Sequence, residues 1–211
     1  MNDLTQYNSV RAQLRAGDVI VFWGNPLDPL TLAIEAFNDG PSHSAIVRQP
    51  VDDRGDDVII EQSTRPILIA HSSKDGVQNE PLGVTLANYG ANAKGAALLL
   101  SDAARARLDL MKFYEWIGEC DGLVTYDTRD LFEFLLREIP IAGAREWQQE
   151  SSKAMVCSGF VTSTLIKSGV LSPGINWTQW GPQQLVECGI YKACVPLLGN
   201  PTLTRFNRLT A

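Results

Sequence analysis

Two short segments of the chain hold residue types suited to covalent catalysis. Met155-Val156-Cys157-Ser158-Gly159-Phe160-Val161 supplies a thiol, and Ser42-His43-Ser44-Ala45-Ile46-Val47 supplies an imidazole. Cys157 falls where a helix should begin. There the positive end of the helix dipole and unpaired backbone N–H groups favour thiolate over thiol. Ser158 and Gly159 are small, which leaves room for a substrate, and the same N–H groups can hold an oxyanion. His43 opens an apolar strand, where neighbours can fix its ring. An imidazole brought to a thiol makes a nucleophile and base pair.

The rivals for these roles are few. The chain has only two histidines, and the other, His71, adjoins Ser72-Ser73-Lys74-Asp75-Gly76, the composition of an exposed turn. Cys120, Cys188 and Cys194 fit the ordinary behaviour of cysteine as a small buried hydrophobe. A third member should accept a hydrogen bond from the far imidazole nitrogen and hold the tautomer. Glu61 closes the apolar run Val58-Ile59-Ile60, and an antiparallel pairing with the His43 strand would set both side chains on one face. Gln62 is its alternative. Tyr126 and Ser158 are the further residues expected to border the site. Asp127, after Tyr126, is expected to cap a helix.

Other chemistries lack their residues. There is no Gly-rich phosphate loop, no GxSxG, no HExxH and no run of His and Cys at metal-binding spacing, so neither cofactor nor metal is expected. The net charge of -6 and pI near 4.9 argue against a nucleic-acid or anionic-membrane partner, which would need clustered Lys and Arg. No segment reaches the roughly 18 apolar residues of a membrane span. The first residues lack a cationic start followed by an apolar stretch, and the four cysteines are too scattered for a disulfide scaffold. A reducing, cytoplasmic setting is the expectation.

The elements that must position these groups are legible from periodicity. With 211 residues, 45% hydrophobic and 20% charged, one domain over 1–211 is expected, strand-rich over 15–100 and helix-rich over 101–211. Asp3 caps a first helix carrying Leu4, Tyr7, Val10 and Leu14 on one side, up to Gly17. Strands are predicted at Val19 to Trp23, His43 to Val47, Asp57 to Glu61, Ile67 to Ala70 and Ala96 to Leu100. A helix is predicted from Asp28-Pro29 to Phe37. Ser101 is read as the cap of one long helix through Leu108, Met111 and Tyr114, and Asp127 to Ile139 as another. Ala142 to Ser152 reads as loop. The helix opened by Cys157 sets Phe160, Val161, Thr164 and Leu165 on one face and ends at Ser168-Gly169, and Pro182 starts a last short one. The five tryptophans are expected in the core or at its rim.

In their order these pieces resemble the circularly permuted papain-like cysteine hydrolases, the NlpC-related group that takes in YiiX-like proteins and, more distantly, lecithin:retinol acyltransferase. The resemblance runs through Arg15-Ala16-Gly17-Asp18-Val19-Ile20, the His43 segment, Val58-Ile59-Ile60-Glu61, Asp75-Gly76-Val77 with Pro81-Leu82, Tyr126-Asp127, and Cys157-Ser158-Gly159-Phe160-Val161. His preceding Cys reverses the order usual in papain-like enzymes. The resemblance implies an α+β, permuted papain-like (NlpC-type) fold, a small antiparallel barrel-like sheet packed against helices, with the nucleophile at a helix N-terminus. It implies Cys157 as nucleophile, His43 as base and then acid, and Glu61 as the residue orienting it. The two departures are Val156, where an aromatic is frequent, and Gly159. The implied reaction is acyl transfer, with amide hydrolysis on a peptide or cell-wall fragment ahead of a lipid amide or ester. A non-catalytic binding or scaffold protein retaining the fold is the competing expectation.

Overall fold

The structure, a computed structural model, describes residues 2–24, 40–49, 68–73, 76–90, 92–121, 125–126, 154–155, 157–203 and 206–207. Its centre is a six-stranded, wholly antiparallel sheet: β1 (Val19–Trp23), β2 (His43–Gln49), β3 (Leu68–Ser73), β4 (Gly76–Pro81), β5 (Lys94–Leu100) and β8 (Tyr191–Leu198). The strand order is β4-β3-β2-β1-β5-β8. A second, two-stranded parallel sheet pairs β6 (Thr125–Tyr126) with β7 (Ala154–Met155). The class is α+β.

Side-chain alternation divides the sheet into two apolar faces. Val19 and Val21 of β1, Ile46 of β2, Ala70 of β3, and Ala96 and Leu98 of β5 face one core. That core is covered by α3 (Asp102–Arg107), α4 (Leu110–Cys120), α5 (Cys157–Lys167) and α6 (Pro182–Glu187). Ile20, Phe22, Ala45, Val47, Ile69 and Ala97 face the other, with Tyr7 of α1 (Thr5–Val10) and with Leu82 and Leu86 of α2 (Leu82–Asn88).

Most elements read from periodicity are present, with informative differences. The long helix expected after Ser101 is two helices. Ser101 caps α3 by accepting from Ala104 N, but Leu108 and Asp109 are extended, and Asp109 then caps α4 by accepting from the Met111 and Lys112 N–H groups. A short acidic side chain able to satisfy two orphan donors competes with helix continuation. Met111 and Tyr114, expected among the apolar residues of that helix, are exposed. Of the segment read as an exposed turn beside His71, the described residues Ser72, Ser73 and Gly76 belong to strands: β3 runs on through His71 to Ser73, and β4 starts at Gly76 and pairs with it. Neither β4, α2 nor β8 was anticipated, and β8 carries the sheet into the half expected to be helical. The expected strand at Asp57 to Glu61, the helices at Asp28 to Phe37 and Asp127 to Ile139, and the loop at Ala142 to Ser152 lie outside the described residues.

One buried carboxylate ties the sheet to its helices. Asp18, fully buried before β1, accepts from Arg15 N at 2.8 Å and from Leu100 N at 2.9 Å, and pairs with the Arg105 guanidinium of α3. Arg105 also donates to Ala16 O at 2.9 Å. Burial pushes the Asp18 carboxyl above its ordinary range, against Arg105 and the Leu100 and Arg15 N–H groups, which pull it down. Asp18→Ala strands the Arg105 guanidinium, the buried Leu100 N–H and the part-buried Arg15 N–H, so a loss of about 3 kcal/mol in urea unfolding is expected.

Candidate active site

Cys157 is the first residue of α5, as its neighbours imply, and α5 is an unusually enclosed helix. Every residue from Cys157 to Leu165 is buried. A helix with so many small polar residues tolerates this because they bond back to their own turn: Ser163 and Thr164 donate to Phe160 O at 2.9 and 2.8 Å, and Ser168 donates to Thr164 O at 2.8 Å. Phe160, Val161 and Leu165 fill the core beside Val21 and Ile46. Gly169, at φ +81°, ends the helix in the left-handed conformation expected of it.

The Cys157 sulfur meets β2 at Ser44, one residue past His43. The N–H groups of Ser44, of Ser158 and of Cys157 itself, together with the Ser44 hydroxyl, lower the thiol pKa, yet burial outweighs them and the group is raised above its ordinary value. The helix start therefore acts in the expected direction, while burial keeps the resting group a thiol. Burial likewise pushes Cys120 up to about 12 and Cys188 and Cys194 up to about 11. All four cysteines are unbridged.

His43 opens β2, paired in register with Phe22. Its ring lies 5.8 Å from the Phe22 ring and 6.5 Å from the Tyr89 ring, centroid to centroid. Phe22 and Tyr89 belong to the α1/α2 side of the sheet, whereas Ser44 pairs in register with Val21 of the α5 side. Strand alternation thus sends the imidazole and the Cys157 contact to opposite faces. Crowding by the aromatic rings desolvates His43 and pushes its pKa down to about 4, with the Glu80 carboxylate pulling it back up. Glu80 is on β4, paired with Ile69, which is itself paired with Val47. It therefore acts across two strands.

Among the described residues, the β2–β3 pairing runs from Ile46↔Ala70 to Gln49↔Leu68, so His43, Ser44 and Ala45 extend past it. Among the described residues, β3 beyond Ala70 pairs with β4 alone. The start of α5 thus meets β2 at Ser44, where β2 has no β3 partner among the described residues.

Of the other expected site residues, Ser158 is buried beside the sulfur and contributes its N–H. Tyr126 is brought close in backbone terms, since it pairs with Met155 two residues before Cys157. Glu61 and its alternative Gln62 lie outside the described residues, as does Asp127. Two residues that act on the sulfur and the imidazole, Ser44 and Glu80, had no role assigned from the sequence. Gly40 has a legible reason to be glycine, because a Cβ there would sit 1.9 Å from Gln183 Oε1. The first turn of α6 thereby fixes the approach to β2. No group of three or more His, Cys, Asp or Glu that could hold a metal occurs among the described residues, and no helix there is long and apolar enough to cross a membrane. The chain matches no protein-family model and no curated protein sequence.

The neutral, crowded His43 has a consequence for stability. The unfolded chain takes up a proton near pH 6.5 while the folded protein resists until about pH 4, so the unfolded state binds more protons in between. Stability is full above the unfolded value and is lost as pH falls through that window. Urea unfolding at pH 7.5 and pH 5 is expected to differ by about 1–2 kcal/mol more in the wild type than in His43→Gln.

Proposed function

We propose that the protein is a cysteine hydrolase of permuted papain-like architecture, cleaving an amide through a thioester on Cys157, with His43 as base and acid. The observation that carries this is the Cys157 sulfur at the start of α5, in contact with backbone donors of that helix and of the strand that His43 opens. Donors that gather on a sulfur do little for a thiol and much for a thiolate or a developing oxyanion.

The raised thiol and lowered imidazole make the resting pair neutral, so His43 acts as a general base during attack and not through a preformed ion pair. In the proposed cycle His43 takes the thiol proton as sulfur bonds to the carbonyl carbon. The imidazolium then gives that proton to the leaving amine as the C–N bond breaks. Water attacks the thioester, loses its proton to His43, and releases the acid and the thiol. Proton transfer from a raised thiol to a lowered imidazole is uphill, and His43 must reach round the start of β2. Substrate binding has to supply both. A peptide or cell-wall-type amide is the favoured substrate, with a lipid amide or ester second, and Glu61 is the proposed orienting group.

One observation favours a second reading, a binding module that keeps the thiol and imidazole without turnover: the His43 ring packs on the face away from Cys157. The two readings separate in one experiment. Incubation with muropeptide fragments, fluorogenic peptide amides and lipid amides, followed by intact-mass analysis, is expected to trap an acyl adduct on Cys157 from one class. Turnover should vanish in Cys157→Ala and drop by about 10²–10⁴-fold in His43→Ala. No adduct and no turnover with any class would leave the binding reading.

A further inference from the structure

Ser44 is the residue of β2 whose hydroxyl has no structural employment. Its side chain is fully buried, and its Oγ has no hydrogen-bond partner of full geometry. Buried hydroxyls left so are uncommon, because burial without a partner is costly and alanine would fill the same space without that cost. Its nearby polar atom is the sulfur of Cys157, which the Ser44 N–H also meets. Two donors from one residue of a strand therefore meet the atom that the donors of α5 also meet.

We propose that Ser44 is a dedicated donor to Cys157, its hydroxyl held unpaired in the resting protein so that it can bond the sulfur once the thiol proton has left. This deepens the hydrolase reading and rests on it. Against a thiol, the hydroxyl has a poor acceptor and its geometry stays loose. Against a thiolate it becomes a charge-assisted donor, completing a ring with the N–H groups of Ser44, Ser158 and Cys157. The cost of leaving it unpaired at rest becomes stabilisation realised only on the way to the thioester. The alternation that sends His43 to the other face is what directs Ser44 at α5, so the strand supplies base and sulfur donor from consecutive residues.

The test follows the pH dependence of Cys157 alkylation by iodoacetamide, read at that residue by peptide mass spectrometry, in the wild type, Ser44→Ala and Ser44→Thr, with Tm measured for each. Ser44→Ala is expected to move the alkylation midpoint up by about one pH unit, lowering the rate at neutral pH about tenfold. Its Tm is expected to stay level or rise by about 2–4 °C, since an unpaired buried hydroxyl is gone. Ser44→Thr, which retains the hydroxyl, should restore the midpoint. A midpoint unmoved in folded Ser44→Ala overturns the Ser44 proposal alone, even where amides are turned over. A shifted midpoint in a protein that turns over no amide overturns the hydrolase reading alone. A Cys157 that stays unalkylated up to pH 10 in the folded wild type overturns both.

Discussion

Everything at this site follows from the period of two along β2. Consecutive residues of a strand project to opposite faces, so a strand that turns Ser44 toward α5 must turn His43 toward Phe22 and Tyr89. The register that sets both directions is held by packing. Ala45 and Val47 are fixed in the core under α1 and α2, and Ile46 in the core under α5, so a slip of one residue would exchange both apolar sets at once. The imidazole is therefore placed by the packing of residues that do no chemistry.

That constraint would forbid contact between thiol and imidazole in a closed sheet. It does so less where the ladder is incomplete. β2 gains its β3 partner only from Ile46 on, and the three residues before it have a ladder partner on the β1 side alone among the described residues. The entry to β2 is held instead from outside the sheet, by Gln183 against Gly40 and by the Ser42 hydroxyl, which accepts from Gly24 N at 3.1 Å.

How much of this was legible beforehand divides along physical lines. Local signals carried well: Ser101 as a cap, Gly169 as a left-handed stop, Pro182 at a helix start, and Cys157 opening a helix are each decided within a turn or two of chain. What failed was decided at long range. β8, with Lys192 and Pro196 in its sequence, has no clean alternation and is a strand because β5 offers it an edge. β4 reads as polar because only Gly76 and Val77 are buried, the rest of it lying half-exposed at the sheet margin. The residues around His43 and Cys157 placed each at the start of its strand or helix, but periodicity along one strand could not say on which face a helix from far downstream would settle. Ser44 was passed over for the same reason: a serine beside a histidine has no signature until the sulfur that faces it is known.

Burial sets the terms on which such a thiol could react. α5 is enclosed on all sides over its first nine residues, which fixes Cys157 firmly and strips it of water, and both effects raise the cost of charge on the sulfur. In bulk water the same thiol would ionise more readily but would be poorly placed. An enclosed nucleophile recovers reactivity only if fixed dipoles replace the lost water, and these must already point at the sulfur, because a packed core cannot reorient on demand. The N–H groups at the helix start meet that requirement from one side and Ser44 from the other. Cys157 retains only 7% exposure, so in the proposed reaction an acyl group would have to reach the sulfur at the helix start, beside Ser44. That route passes the residues that would decide which amide or ester can enter.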